Sequence, residues 1–346
     1  MLNIGIIGCG KIAQVRHLPE YEQNPGARIA GLYDLNQERA QALAAQYGAK
    51  AYESYEALLA DPAIDAVSVC SANVSHAEIA VAALAAGKHV LCEKPMATTL
   101  ADCERMVSAA KKSGKRLMID QNQRLAGAHV KARELIEQGE IGRVITFATA
   151  FRHGGPETWS IDPGQSTWFF DKKRAAMGAM ADLGVHKTDL IQYLIGQTVD
   201  EVEAQLCTLD KKFSDGSPIT VDDNAFCIYH MDGGAVGTMI ASWTNYGPED
   251  NSTVINGTEG VLRIYDDPAH TLVLEKKDGT RVGYDVDAIQ TNDNQTKSGM
   301  IDLFVEGLKD PTVQGIDAQS VLTAMRAVFA AIESSETGRR VKTSEV

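Results

Sequence analysis

The sequence predicts an α/β protein in two parts: a doubly wound parallel sheet, then an α/β domain with a large, mostly antiparallel open sheet. Three observations lead there. Residues 3–7 form a short apolar strand that runs directly into Gly8-Cys9-Gly10-Lys11-Ile12-Ala13, a G-x-G-x-x-A turn. Strand and helix signals then alternate as far as residue 121, the pattern of parallel strands joined by crossover helices. Beyond it, β-type runs at 143–151, 199–209, 224–231, 234–243, 252–256 and 260–265 are separated by turns such as Asp232-Gly233-Gly234 and Asp278-Gly279. The chain therefore divides into a first domain at 1–121 and a second at 122–346.

In the opening turn, Gly8 permits a tight bend. Gly10 lets a backbone approach a pyrophosphate, and Ala13 lets the next helix pack close to the strand. The helix N-terminus offers free N–H groups to phosphate. A second apolar run, 28–33, ends in Asp34, the position of a ribose 2′-hydroxyl ligand. A carboxylate there repels a 2′-phosphate, so NAD is favoured, while Arg39 nearby leaves NADP open. The competing reading is a glycine turn with an incidental aspartate. The first domain is thus a dinucleotide-binding Rossmann domain.

The elements follow in order. Residues 37–47 read as a helix and 52–59 lead through Asp61-Pro62 to a strand at 66–70. A helix at 75–86 closes at Gly87. The next strand, 89–92, delivers Glu93-Lys94-Pro95 at its carboxyl end. Ligands of open α/β sheets bind at such ends, and proline stiffens the exit that carries the lysine. The plain alternative is a strand exit with a solvated lysine. A helix from Thr99 to Lys112 stops at Gly114, and 116–119 is one more strand.

In the second domain a helix at 130–138 closes at Gly139. The Gly-, Pro- and Asp-rich segment 154–164 is a long loop, a form that is often functional. The segment Asp182-Leu183-Gly184-Val185-His186-Lys187-Thr188-Asp189 opens a helix that runs to Ile195 and is capped by Gly196. On a regular helix Asp182, His186 and Asp189 share one face. Three readings compete: a helix N-cap with a buried histidine, a metal site, and a carboxylate–histidine unit for proton transfer. With no partner cluster in the sequence, no metal is expected, and the proton-transfer reading leads.

Composition bounds the function. The 346-residue chain has 33 basic against 46 acidic residues, a net charge of −13, which argues against nucleic acid or an anionic membrane as partner. No transmembrane run is present, and the N-terminus opens on a strand rather than a signal segment, so a cytoplasmic location is expected. The six cysteines form no C-x-x-C pair, which fits reduced thiols.

Taken together, the chain resembles the Gfo/Idh/MocA family, named for glucose–fructose oxidoreductase and inositol dehydrogenase. The resemblance rests on Gly8 to Ala13, Asp34, Asn73-Val74-Ser75-His76, Ala86 to Pro95, Arg124, Asp182 to Asp189 and Ser334 to Val341, and spans essentially the whole chain. It implies a Rossmann domain joined to a substrate-binding α/β domain whose sheet serves in homodimer or homotetramer contacts. It implies an NAD(P)-dependent oxidoreductase moving hydride between nicotinamide and a secondary alcohol or ketone of a sugar, polyol or inositol. The implied catalytic residues are Lys94, Asp182 and His186. Asn122 and Gln123 join those three in substrate binding. Gly8, Gly10, Lys11, Ile12, Asp34, Ser71, Asn73, His76, Glu93 and Lys94 hold the cofactor. Trp168-Phe169 stands where the family often has Trp-Arg, and the usual glycine run is reduced to Gly178-Ala179-Met180. Trp159, Trp168, Trp243 and Tyr246 are candidate pocket walls or plain packing. The resemblance leaves two alternatives: a glycoside hydrolase that oxidises its sugar transiently through retained NAD, and a non-catalytic cofactor-binding regulator.

Overall fold

The computed structural model describes residues 1–286 and 297–346. The chain forms two compact units, one built from Met1–Asn122 and the described residues of Gln290–Leu322, the other from Gln123–Ile289, as described, and Thr323–Val346.

The first unit alternates strand and helix as its sequence predicts: β1 (Leu2–Ile7), α1 (Leu18–Gln23), β2 (Ala27–Tyr33), α2 (Gln37–Tyr47), β3 (Lys50–Ala51), α3 (Tyr55–Ala60), β4 (Ala66–Val69), α4 (His76–Ala85), β5 (His89–Cys92), α5 (Leu100–Ser113) and β6 (Leu117–Ile119). All strand pairs are parallel, in the order β3-β2-β1-β4-β5-β6. The order reverses direction beside β1, which opens a crevice at the carboxyl ends of β1 and β4. Side-chain caps explain where helices begin: Asn36, Ser54 and Thr99 accept from the main-chain N–H of Arg39, Ala57 and Asp102. Gly48 and Gly114 end α2 and α5 in the left-handed conformation. The helix after the glycine turn is less regular than the motif suggests: Ala13–His17 is a π-turn that leads into α1.

The second unit contains α6 (Gly127–Glu137), β7 (Val144–Arg152), α7 (Lys172–Ala175), α8 (Val185–Ile195), β8 (Val199–Cys207), β9 (Asn224–Met231), β10 (Val236–Ser242), β11 (Thr253–Gly257), β12 (Gly260–Ile264), β13 (Leu272–Lys276) and β14 (Arg281–Tyr284). After α9 (Met300–Lys309) come α10 (Ala318–Thr337) and β15 (Val341–Lys342). The nine-stranded sheet runs β14-β13-β12-β11-β7-β10-β9-β8-β15 and is antiparallel except for the β7–β10 pair. One face is buried under helices and the other is open, the one-sided arrangement that antiparallel sheets permit. Phe226, Ile228 and Val236 are exposed on β9 and β10, while Ala225, Cys227, Tyr229 and Met239 point into the core.

The chain comes back to the first unit late. Ser298 donates through N and Oγ to the Glu20 carboxylate at 2.7 and 3.1 Å, and Asn24 donates to Asp302 at 2.7 Å. Ile119 N donates to Ile316 O at 3.1 Å, so the returning segment covers the free edge of β6. The sequence places one change of pattern near residue 122. The apolar stripe of α9 carries no information about which core it covers.

Candidate active site

In the first unit the glycine turn has the form a dinucleotide needs. Gly8 has φ of +96°, and a side chain there would run into the Cys70 main chain at 2.5 Å. At Gly10 a side chain would meet nothing, so the backbone faces open space where a pyrophosphate can approach. Lys11 and Ile12 are half-buried at the start of this helix. Asp34 follows β2 and accepts from Cys9 N at 2.6 Å through Oδ2, which ties the acid to the turn. Arg39 Nη1 lies 4.0 Å from Asp34 Oδ1.

The turns after β4 and β5 are tied to each other. His76, buried, places Nδ1 2.8 Å from Pro95 O and Nε2 3.0 Å from Ser71 O. Burial lowers its pKa, and a neutral ring donates to only one of these carbonyls. Ser75 Oγ donates to Ser71 Oγ at 2.7 Å, and Asn73 is buried in the short helical turn Asn73–Ser75. His76 and Asn73 therefore shape the loop from within. Lys94 is half-buried at the end of β5, and its peptide bond to Pro95 is cis. The Glu93 carboxylate is turned inward: Oε1 meets His17 Nε2 at 2.9 Å and Oε2 accepts from Lys94 N at 3.2 Å.

The chain leaves the first unit through the turn Asn122–Leu125. In the second unit His129, fully buried, places Nδ1 2.7 Å from Gln123 O and holds this turn. Burial brings its pKa down to about 3. Gln123 is buried and its Oε1 has no hydrogen-bond partner among the described residues. Arg124 grips Asp189 with Nε–Oδ2 at 2.7 Å.

The segment expected as a helix from Asp182 to Ile195 is helical without a break, capped at Gly196, but it begins before Asp182 and its first part is not a regular α-helix. Met180–Gly184 is a π-turn and α8 begins at Val185. This corrects the single shared face: Asp189 is bound to Arg124, whereas Asp182 Oδ2 accepts from Trp243 Nε1 at 2.9 Å and lies 4.0 Å from His153 Nε2. Asp182 makes no helix cap. Asp222 takes that role one turn earlier, accepting from Gly178 N at 2.8 Å and Met180 N at 2.7 Å. A side chain at Gly178 would meet Asp222 O at 1.8 Å, so the one glycine kept from the usual run is the one that packing requires. His186 is buried, its ring 6.2 Å from that of Phe151.

Of the four aromatic residues singled out in the sequence, Trp243 is fully buried and holds Asp182, while Tyr246 is exposed and bonds Asp210. Trp159 and Trp168 pack on Phe169, at 5.1 and 3.9 Å between ring centroids. His153, Asp222 and Lys187 carried no sequence signal. Lys187 is fully buried and its amine reaches Asn251 O at 2.8 Å; burial brings its pKa down to about 7. Local spacing marks none of these, because their partners come from distant strands.

Comparison with known proteins agrees with this geometry. Residues 2–121 match the family model described as the oxidoreductase family, NAD-binding Rossmann fold, and residues 129–263 match the GFO/IDH/MocA C-terminal domain. Myo-inositol 2-dehydrogenase of Thermotoga maritima is 27% identical over 349 residues, which cover 100% of this chain and 99% of its own. Levoglucosan dehydrogenase of Pseudarthrobacter phenanthrenivorans is 31% identical over 288 residues, 75% of this chain and 73% of its own. A solved structure of levoglucosan dehydrogenase in complex with NADH and levoglucosan matches with a TM-score of 0.85 at 26% identity, covering 99% of this chain and 98% of that one. Two domain models in succession on one chain, together with a glycine turn shaped for a dinucleotide, place this protein in the Gfo/Idh/MocA family of oxidoreductases, with NAD as the cofactor of its first unit.

Proposed function

We propose that the protein oxidises a secondary alcohol of a sugar, polyol or inositol, or reduces the corresponding ketone, and that Lys94, Asp182 and His186 carry the chemistry. The observation that supports this most is Lys94 at the carboxyl end of β5, in the same parallel sheet as the dinucleotide turn and two strands from it. Relatives named as dehydrogenases of an inositol and of a sugar support the substrate class.

NAD⁺, when bound, supplies the hydride acceptor. The chain's own residues bind, orient and move the proton. Lys94 orients the reacting hydroxyl. His186 takes the hydroxyl proton in oxidation and returns it in reduction. Asp182, oriented by the N–H of Trp243, faces the substrate or supports His186. Residues 1–121, joined in the first unit by the returning segment through α9, bind the nucleotide, and the rest of 122–346 the substrate. Asn122 and Gln123 contribute to the substrate side, and Asp34 favours NAD over NADP.

The open face of the nine-stranded sheet serves, on this reading, to join copies of the chain into a homodimer or homotetramer. A groove of about 450 Å³ on that sheet is lined by Phe226, Ile228 and Ile240, with Arg339 and Arg340 at its rim. Exposed apolar residues in such an array favour a second copy over water. No described helix is long and apolar enough to cross a membrane, and all six cysteines are free, which suits a reducing cytoplasm.

The test is to supply NAD⁺ and a panel including myo-inositol, levoglucosan and D-glucosides, and to follow NADH. Formation of NADH that depends on one of these alcohols is the expected result. Release of an aglycone with no free NADH would instead identify a hydrolase.

A further inference from the structure

Behind the Lys94 turn the first unit buries a group of ionisable side chains that the proposed chemistry does not use. His17, at the end of the π-turn, is fully buried. Its Nε2 lies 2.9 Å from Glu93 Oε1 and 3.6 Å from Asp120 Oδ2. Asp120 follows β6, is 1% exposed, and neither of its carboxyl oxygens has a hydrogen-bond partner among the described residues. Its N–H donates to Cys92 O at 2.8 Å, so the group is anchored to the strand that delivers Glu93 and Lys94. A buried carboxyl without a protein donor is stabilised by keeping or sharing a proton.

We propose that His17 and Asp120 are positioning residues for Lys94: with Glu93 they form a buried three-group cluster that shares one exchangeable proton, and its ionisation sets how firmly the Glu93-Lys94 turn is held. The inference rests on the reading of Lys94 given above. The ring nitrogen facing the two carboxyls has one proton to give. While Asp120 keeps its own, His17 donates to Glu93. Once Asp120 ionises, it competes with Glu93 for the same N–H, and a second negative charge appears behind Lys94.

The surroundings favour a proton held near neutrality. Asp120 is faced by Arg16, His17, Glu20 and Tyr21 from the first helical stretch, and by Cys70, Cys92 and Glu93 from the strand ends. Burial first and Glu93 second push its carboxyl up to about 7, against the pull of His17 and Arg16. Glu20 is already occupied by Ser298. Burial opposes the charge on His17 and on Glu93 alike. Cys70 first and Glu93 second nevertheless leave the imidazole above its ordinary range, and His17, with Arg16 and Lys94, leaves the Glu93 carboxyl below its own. The three ligand-type atoms lie within 4.8 Å of one another. We read the 2.9 Å contact as a hydrogen bond rather than as two ligands of an ion.

The test uses the whole chain labelled with carbon-13 at the aspartate γ-carboxyl and the lysine ε-carbon. One aspartate signal, absent from Asp120→Asn, is expected to titrate near neutrality. The Lys94 signal, identified by its loss in Lys94→Met, should inflect at the same midpoint. That inflection should vanish in Asp120→Asn and in His17→Gln. Should His17→Gln fail to fold, the isosteric Asp120→Asn carries the test alone. A Lys94 signal blind to that midpoint, or aspartates that all titrate in the ordinary carboxyl range, overturns the proposal. So does a stoichiometric metal ion that Asp120→Asn loses. Absence of coupling with Lys94→Met inactive on the alcohol panel overturns the cluster alone. Coupling present with Lys94→Met active overturns the catalytic reading of Lys94 and leaves the linkage standing.

Discussion

Glu93, beside Lys94, and Asp182, itself proposed for chemistry, are both buried, but the fold holds them with different donors. Glu93 is held by an imidazole within a group that contains a second carboxyl without a donor. Asp182 is held by the neutral indole N–H of Trp243, with His153 at 4.0 Å. A charged partner makes the first site sensitive to protonation. The indole N–H fixes the orientation of the second. A buried carboxylate thus sits beside a second ionisable carboxyl in one place and under an indole donor in the other.

The largest expected effect breaks the first site. His17→Ala leaves Glu93 buried without its partner and should lower the unfolding free energy by about 3–5 kcal/mol, read from urea melts. A change below about 1 kcal/mol would show that Glu93 needs no countercharge. Next come the groups proposed to act in chemistry. Lys94→Met, His186→Ala and Asp182→Asn should each reduce turnover by roughly a hundredfold or more. NADH affinity by fluorescence should change far less, because Gly8, Gly10 and Asp34 remain. Near-parental rates in both Lys94→Met and His186→Ala would end the assignment.

Trp243→Phe sharpens the comparison by removing only the neutral donor to Asp182. It should cost about 1–3 kcal/mol of stability, the penalty for removing one hydrogen bond to a buried acceptor. The pH dependence separates the sites further. Asp120 has a folded pKa of about 7, above its ordinary value near 3.8. Between those values the folded state binds the extra proton, so this contribution favours folding at low pH and is lost as pH rises from about 4 to about 7. Glu93, held below its ordinary value, works in the opposite sense and loses its contribution as pH falls. Denaturant midpoints at pH 5 and pH 8 should therefore favour Asp120→Asn over the parent more at the higher pH. The mildest effect concerns a third carboxylate. Asp34→Ala should narrow the NAD over NADP preference by about tenfold, equal to ~1.4 kcal/mol. It should also loosen the turn, since Cys9 N loses its acceptor.

Much of this was legible along the chain because it is local. The G-x-G-x-x-A turn, Asp34, the strand that ends in Glu93-Lys94-Pro95 and the caps Thr99, Gly114 and Gly196 are all short-range signals, and the structure has the elements they imply. The helix through Asp182 is present, but a π-turn inserts a residue into its ladder, and residue spacing alone does not announce it. Of the two readings open for Trp243, pocket wall or packing, the structure shows a fully buried side chain whose N–H serves Asp182.

The sequence by itself determined the alternation of the first unit, the two kinds of sheet and the class of ligand, because turn chemistry and the period of apolar residues are written within a few positions of each other. Only the tertiary structure decided which buried groups meet. His17 reaches Glu93 across 76 positions and Trp243 reaches Asp182 across 61. The segment through α9 returns to cover the edge of β6. Periodicity reports that a side chain is buried. Which charge or donor it is buried against depends on strands brought together by packing, and that choice sets whether a carboxylate titrates or stays fixed.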